Sequence, residues 1–248
     1  MASPRTRYAI IGAVVVLLLA VAGGVIWFVS GDSPDEVDLD TAAEGVRERS
    51  TTTAADGSTT TAPPGVAGTW AVDTETGEFD YESATGSFVG FRVEEQLVNI
   101  GAATAVGRTG EVTGTMTVDG TSVTEASFEV DMTTITTNES RRDRRVQEAL
   151  HTDQHPTAPF ELTEPIELGE GVESGQVAVD AVGDLTVNGV TRPFTIPIEA
   201  ELVEGTIVVV GSTEIVFSDF DVEVPSAPVV VSAEDRGTLE LQLLFVRT

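Results

Sequence analysis

Few types of residue on this chain could act in catalysis or metal binding. It has 41 acidic residues, 13 basic residues, 2 histidines and no cysteine among 248 positions. His151 and His155 stand four residues apart, a spacing that can bind zinc on a helix. Pro156 follows directly, and no glutamate lies between the histidines to act as a general base. The absence of cysteine excludes thiolate catalysis and disulfides. We therefore expect no metal site, no cofactor and no catalytic residue, and we interpret the chain as a binding protein rather than an enzyme.

The basic residues are all arginines, and the outer part of the chain has one cluster of them: Arg141, Arg142, Arg144 and Arg145. Such a cluster can bind an anionic head group, for example a pyrophosphate, through charge-assisted hydrogen bonds. The alternative is that these arginines neutralise nearby acids on a solvated helix. The net charge of −28 repels polyanions, so we expect no nucleic-acid partner.

Glu95 is a carboxylate at the end of an apolar strand face. Val89, Phe91 and Val93 alternate with polar or small residues, and Glu95 continues the same face. Because burying a lone carboxylate is costly, Glu95 must be solvated, protonated or paired. It lies either at a wet rim or in a hydrogen bond with a ligand head group or an arginine.

The arginine cluster lies between two predicted strands. Alternating apolar residues predict one strand from Ala126 to Met132, and the alternation resumes at Phe160. Between them, a charged run predicts a helix over about residues 139–150. Apolar residues at spacings of three and four give this helix a short stripe: Val146, Ala149 and Leu150. The helix is either a solvated lid on a sheet or a gate for a ligand.

The second half of the chain predicts an antiparallel meander. Asn188-Gly189 is a strong signal for a hairpin with a two-residue loop. This loop pairs Gly183 with Phe194 and Ala181 with Ile196, so the apolar faces of the two strands agree. Small residues on that face leave volume inside a closed sheet.

About eight such strands, almost all antiparallel, predict an all-β fold that closes into a barrel with one inserted helix. In the earlier hairpin, matching the apolar faces predicts a three-residue loop from Asp119 to Thr121, which pairs Gly114 with Ala126. A barrel of about eight strands has room for side chains or for one small ligand. The interior is therefore either a ligand cavity or a filled core.

The segment Tyr8–Val29 has 22 residues and no charge. As a helix it would be about 33 Å long, enough to cross the roughly 30 Å hydrocarbon core of a bilayer. Arg5 and Arg7 precede it and acidic residues follow it, which predicts a cytoplasmic N-terminus and an extracytoplasmic remainder. We expect residues 1–30 to form an uncleaved, single-pass transmembrane anchor in the cell membrane. A cleaved signal peptide is the alternative.

Residues 31–67 are acidic at first and then rich in threonine and proline. Their low apolar content predicts a disordered linker, a flexible spacer between the membrane and a β domain at residues 68–248. The residues do not decide the oligomeric state, and a homodimer is left open.

A set of segments in one order resembles the signature of the YceI-like polyisoprenoid-binding family: Arg142-Asp143, His155-Pro156-Thr157-Ala158, Phe160, Gly183 to Phe194, and Phe217-Ser218-Asp219-Phe220. The resemblance covers roughly residues 69–248. It implies an extracytoplasmic, lipocalin-like eight-stranded antiparallel barrel that holds an amphiphilic isoprenoid. The chain departs from the family pattern at Glu95, where that pattern has histidine. It also has Ala149-Leu150 near the place of an aromatic pair.

We therefore predict an extracytoplasmic binding or carrier protein that holds an amphiphilic lipid, by resemblance a polyisoprenoid, inside the barrel. The candidate ligand-binding residues face inward: Phe91, Val93, Met116, Phe128, Val130, Met132, Leu150, Phe160, Ala181, Gly183, Phe194 and Ile196. The candidates for head-group contact are Arg141, Arg142 and Glu95. The alternative function is a structural or adhesive cell-surface domain with a filled core.

Overall fold

The computed structural model describes residues 33–53, 65–77, 79–82, 84–98, 101–169, 175–224 and 230–248, without the side chains of residues 51–53, 141, 230 and 231. The α-helices in these ranges are α1 (Leu39–Thr53) and α2 (Ser140–Ala149). Short 3₁₀ helices span Met132–Thr134 and Phe217–Phe220. The strands are β1 Gly68–Val72, β2 Phe88–Leu97, β3 Gly101–Thr109, β4 Val112–Asp119, β5 Ser122–Asp131, β6 Thr136–Thr137, β7 Thr157–Leu162, β8 Ile166–Glu167, β9 Val177–Val187, β10 Val190–Val203, β11 Thr206–Val216, β12 Val230–Ala233 and β13 Arg236–Arg247.

Eight antiparallel strands close into a barrel in the order β1-β4-β5-β7-β9-β10-β11-β13, and β13 pairs back with β1. The pairing with β1 uses only the end of β13, from Phe245 to Arg247. The earlier part of β13, from Thr238 to Gln242, pairs with β2 instead. The β2–β3 hairpin therefore extends the wall at the other end of the barrel. The predicted all-β, eight-stranded antiparallel barrel is confirmed.

The predicted register is confirmed between β9 and β10, where Gly183 pairs with Phe194 and Ala181 with Ile196. The predicted loop between β4 and β5 is wrong. Asp119 pairs with Ser122 across a two-residue turn, and a bulge next to Val118 shifts the register so that Gly114 pairs with Phe128. The apolar faces still agree, because the shift from the predicted partner, Ala126, is two residues and each strand keeps its orientation.

One end of the barrel is closed by Trp70, which is 1% exposed. Its indole N–H donates to the Val66 carbonyl at 2.8 Å, and the Arg247 guanidinium lies 4.5 Å from the ring centroid. The opposite end lies under α2, which connects β6 to β7 close to the predicted boundaries. The inserted helix is therefore confirmed, and it covers the end that Trp70 does not fill.

A second helix, α1, packs on the outside of the barrel. Its buried residues recur at one helical face: Leu39, Ala42, Ala43 and Val46. They contact apolar side chains on the outer face of the wall: Val203, Val208, Val210 and Leu244. Asp38 begins the helix, since its Oδ1 accepts from the Thr41 amide at 2.9 Å and from the Thr41 hydroxyl at 2.8 Å. These bonds hold the pKa of Asp38 below its ordinary value.

The prediction of a disordered linker over residues 31–67 is therefore wrong for Leu39–Thr53, and the described helices number two rather than one. The reason is tertiary: the apolar stripe of α1 is short, but the outer face of β10, β11 and β13 provides an apolar surface that it covers. We call residues 33–53 the strap. Residues 54–64 and the predicted membrane span, Tyr8–Val29, lie outside the described residues. Among the helices in the described ranges, none is long and apolar enough to cross a bilayer.

A buried ion cluster holds the beginning of the strap to the wall. Glu240, 1% exposed, accepts hydrogen bonds of 2.8 Å from Nε of Arg92 and from Nε of Arg108. Two guanidinium groups against one carboxylate leave an excess positive charge that needs further acceptors. The strap supplies them, because Arg92 donates to the Pro34 carbonyl and Arg108 donates to the Asp35 carbonyl, each at 2.6 Å.

Replacing Glu240 with glutamine should lower the free energy of unfolding by about 3–5 kcal/mol, because two buried guanidinium groups lose their counter-ion. The matched control is Glu214→Gln, since Glu214 pairs with Arg236 at 3.2 Å in an exposed position. The control should cost less than about 1 kcal/mol. Urea denaturation measures both variants, and equal small losses would contradict a structural role for the buried cluster.

Candidate functional site

The barrel encloses a cavity of about 1110 Å³. Its wall consists mainly of aliphatic and aromatic side chains from the inner faces of the strands, and α2 adds Val146 and Ala149, followed by Leu150 just after the helix. Ligand pockets typically measure about 300–1000 Å³ and are lined mostly by apolar groups. The cavity is therefore slightly larger than that range and has the apolar lining that suits a lipid chain.

The mouth of the cavity is marked by the lining residues that are exposed to solvent: Val98, Asn138, Glu139 and Arg145. We call these four residues the rim. They come from two places, the end of β2 and the segment around the start of α2. The cavity thus opens at the α2 end of the barrel, opposite Trp70.

Four of the five charged lining residues lie near this mouth, and the fifth, Glu201, lies near the β10–β11 turn, where it pairs with Arg47. Arg142 Nη2 lies 3.3 Å from Glu95 Oε2, and Arg142 Nη1 donates to Asn138 Oδ1 at 2.5 Å. Glu95 is therefore paired with an arginine, which is one of the two states expected for it. Burial raises the pKa of the neighbouring Tyr81, and the positive charge of Arg142 partly opposes that rise.

Side-chain contacts hold α2 over the mouth. Asp143 Oδ1 accepts from the backbone amide and from the hydroxyl of Thr137, both at 2.7 Å, which fixes the first turn of the helix to β6. Further along, Gln147 Nε2 donates to the Thr133 carbonyl at 2.9 Å. These contacts turn the apolar stripe of α2 toward the cavity and leave Arg144 and Arg145 exposed.

The two histidines contact the hairpin turn at Asn188-Gly189. His151 Nδ1 lies 2.9 Å from Asn188 Oδ1, and the ring of His155 lies against Gly189 so closely that a side chain there would clash with it. Both rings thus connect the segment after α2 to the end of β9. Across the described ranges, no group of three or more His, Asp or Glu side chains is placed to hold a metal ion.

Most of the predicted ligand-binding residues line the cavity: Phe91, Val93, Met116, Phe128, Val130, Met132, Leu150, Phe160, Ala181 and Ile196. Of the head-group candidates, Arg142 and Glu95 line it as well. The side chain of Arg141 lies outside what the structure describes.

Gly183 and Phe194 do not line the cavity. A Cβ at Gly183 would overlap the ring of Phe160 and approach the Glu161 carbonyl oxygen to 2.5 Å, so Gly183 makes room for the Phe160 ring. Phe194 packs against Phe220, with ring centroids 6.3 Å apart. Phe220 lines the cavity, so Phe194 contacts a lining residue without lining the cavity itself.

The sequence selection missed several lining residues. Leu239, Leu241 and Leu243 of β13 line the cavity, and their strict alternation is a sequence signal for one inner face. Asn138 also lines it, as does Arg145, which belongs to the predicted arginine cluster but was not among the head-group candidates. The position of Asn138 has no local signal, because it depends on how α2 lies across the end of the barrel.

A family described as "YceI-like domain" matches residues 70–245. That range covers well over half of the chain. The chain belongs to the YceI-like domain family.

Relatives of this chain come from several bacteria. The chain is 31% identical over 121 residues to "Protein YceI" of Shigella flexneri, an alignment that covers 47% of this chain and 56% of that protein. It is 30% identical over 148 residues to a "UPF0312 protein" of Shewanella denitrificans, covering 55% of this chain and 73% of the relative. A "UPF0312 protein" of Pseudomonas aeruginosa matches at 30% identity over 114 residues, or 44% of this chain. The chain thus spans about half the length of that relative, 54%.

Two solved structures share the YceI-like fold. A polyisoprenoid binding domain from Saccharophagus degradans, described as implicated in plant cell wall breakdown, superposes with a TM-score of 0.53 at 14% identity. The superposition covers 72% of this chain and 98% of that one. Burkholderia cenocepacia BcnA gives a TM-score of 0.51 at 18% identity, over 70% of this chain and 98% of that one. At these sequence identities, the superpositions show a shared fold alone.

Gly183→Ala tests whether Gly183 serves packing rather than a ligand. We expect a loss of about 1–3 kcal/mol in the free energy of unfolding, because the added methyl group overpacks the space of the Phe160 ring. Gly45→Ala is the matched control. It lies in α1, where the added Cβ meets Arg49 at an ordinary 3.4 Å, so removing a helical glycine should stabilise by up to about 1 kcal/mol. Thermal melts of both variants should show a lower melting temperature for Gly183→Ala and an unchanged or higher one for Gly45→Ala.

Proposed function

We propose that this YceI-like protein binds an amphiphilic lipid of the polyisoprenoid class, with the apolar chain inside the barrel and the polar head at the mouth. The observation that carries the proposal is the cavity of about 1110 Å³, apolar along the wall and charged near its opening. A ligand that fits this pattern has one long apolar part and one polar end. The name of the Saccharophagus degradans neighbour, a polyisoprenoid binding domain, supports the choice of lipid class.

Burial of the lipid chain supplies the main driving force in this proposal. Transfer of apolar surface from water is favourable by roughly 25 cal/mol per Å². A chain of several isoprene units therefore binds without a strong polar contact along its length. The site selects by length and shape, and the wall needs no catalytic group.

A structural or adhesive domain with a filled core is the competing function. A filled core has few voids larger than a water molecule. The volume between the strands is far above that size, and the lining includes small residues such as Ala126 and Ala181. The lipid-binding function accounts for this volume, whereas an adhesive function does not require it.

The proposal includes a location. The uncharged segment Tyr8–Val29, with Arg5 and Arg7 before it and acidic residues after it, supports a single-pass anchor with the barrel on the extracytoplasmic side. A lipid-binding barrel tethered to a membrane stays next to a source of its ligand.

The Ala181→Phe variant tests the cavity. Ala181 lines it and pairs with Ile196, so a phenyl ring there takes up volume that the lipid chain needs. We expect a clear fall in the lipid that organic extraction recovers from the purified protein, with nearly unchanged thermal stability. Native mass spectrometry of the full chain in detergent measures the same loss as a missing bound mass.

The control is Glu199→Gln. Glu199 is exposed on the outer face of β10, so this variant should change neither the extracted lipid nor the thermal stability. In a solid core the outcome would be reversed. Ala181→Phe would then cost about 1–3 kcal/mol by overpacking, and neither protein would contain lipid. That pair of results would refute the proposed function.

Arg142→Gln tests the head-group contact. A hydrogen bond to a charged group contributes about 1.5–3 kcal/mol, so the variant should bind a polyprenyl phosphate roughly tenfold to a hundredfold more weakly. The polyprenol of the same chain length should lose far less, because it has no charge for Arg142 to contact. Arg236→Gln, at an exposed arginine paired with Glu214, is the control. Equal losses for both lipids would show that Arg142 serves only the packing of α2.

A further inference from the structure

Both the rim and the residues beside it are suited to contact with a lipid surface. Val98 is an apolar side chain that is 43% exposed, although it lies next to the open cavity. Arg144 and Arg145 are exposed on the same end of the barrel. Within the described ranges, neither of these arginines has an ion-pair partner. An exposed apolar residue and two unpaired arginines at one end of the barrel are a composition suited to lipid head groups.

The strap begins at the same end of the barrel. Ser33 Oγ donates to the Thr104 carbonyl at 2.8 Å. Thr104 pairs across the hairpin with Glu94, the neighbour of Glu95 at the mouth. The described chain therefore starts level with the charged pair of the cavity opening and runs from there over the outer wall.

The length of chain before Ser33 limits how far the mouth can lie from a membrane. The uncharged segment ends at Val29, so only residues 30–32 separate it from Ser33. Four steps between consecutive Cα atoms span at most about 14 Å. The partly buried hydrogen bonds from Arg92 and Arg108 to the strap carbonyls keep Ser33 close to the wall, so no long spacer lies between the proposed anchor and the mouth.

Charge favours the same orientation. The protein has a net charge of −28, which repels an anionic bilayer from most sides. Residues 139–149 differ, since four arginines against Glu139, Asp143 and Glu148 leave a net charge of +1. Salt screens the interaction of each charge beyond about 8 Å at physiological ionic strength, so the charged groups nearest the bilayer determine the attraction or repulsion. The exposed guanidinium groups of Arg144 and Arg145 are therefore the part of this end that anionic head groups can contact.

We propose that the rim, together with Arg144, docks on the surface of a phospholipid bilayer that contains anionic lipid, so that the cavity opens directly onto the membrane. Lipid then exchanges between bilayer and barrel without crossing bulk water. This docking rests on the anchor that the proposed function includes, and it goes beyond it by stating which face of the barrel meets the membrane.

The absence of cysteine from the chain permits a site-specific test. Val98→Cys places a fluorescent label at the rim, and Asp119→Cys places the same label on the exposed β4–β5 turn at the opposite end. The full chain is reconstituted into phosphatidylcholine vesicles with or without phosphatidylglycerol, and nitroxide-labelled lipids serve as the quencher. We expect several-fold stronger quenching and a blue-shifted emission at position 98 compared with position 119. No quenching at either position, or stronger quenching at 119, overturns the proposal.

A second set of variants tests the charge. Arg144→Gln with Arg145→Gln, in the Val98→Cys background, should reduce quenching in vesicles that contain phosphatidylglycerol and bring it to the level of pure phosphatidylcholine. Arg236→Gln should have no effect, because Arg236 is paired with Glu214. If quenching at position 98 is the same with and without the two arginines, and with and without phosphatidylglycerol, the electrostatic part of the docking is contradicted.

Lipid extracted from the same preparations separates this inference from the proposed function. Bound lipid at the level of the unmodified chain, without quenching at position 98, refutes docking and leaves lipid binding intact. Quenching at position 98 in a protein that contains no extractable lipid supports docking and refutes the lipid-binding function.

Discussion

Strand β13 imposes the constraint on which the structure depends. It pairs with β11 along its length, with β1 at its end and with β2 along its earlier part, so the closed ring and its extension share this one strand. Because successive side chains of a strand point to opposite faces, β13 contributes to both the inside and the outside of the wall. Leu239, Leu241 and Leu243 face the cavity, whereas Glu240 faces outward into the buried ion cluster. Any change of register in β13 would exchange these faces and would remove both the lining and the ion cluster.

The outer wall explains why residues that resemble a linker are ordered. Val208, Val210 and Leu244 point away from the barrel, and without α1 these apolar side chains would meet water. The strap covers them and, through the Pro34 and Asp35 carbonyls, provides acceptors for the buried arginines. The wall is therefore buried on both faces along part of β11, which is unusual for a sheet of this class, where one face is commonly solvated.

At the mouth, the structure places Arg142 against Glu95. The pair lies where an apolar cavity meets solvent. There, a charged pair is less costly than it would be inside the wall and stronger than it would be on the open surface. In the function that we propose, an anionic head group takes the place of Glu95 opposite Arg142.

Local patterns in the sequence determined the strands, the closed antiparallel sheet, the inserted helix and most of the cavity lining. A period of two gives the face of each residue, and the Asn188-Gly189 turn sets the register of its hairpin. Even at the β4–β5 turn, where the bulge shifts Gly114 to Phe128, the inner face was predicted correctly, since a shift of two residues preserves it. Tertiary structure decided the strap, the partner of Glu95 and the packing role of Gly183. Each of these depends on contacts between residues that are far apart in the sequence. The apolar stripe of α1 is buried only against the outer wall, and Gly183 lacks a side chain because the Phe160 ring of a neighbouring strand occupies that space. A single sequence records the faces of its elements, but only the folded chain brings two distant faces into contact.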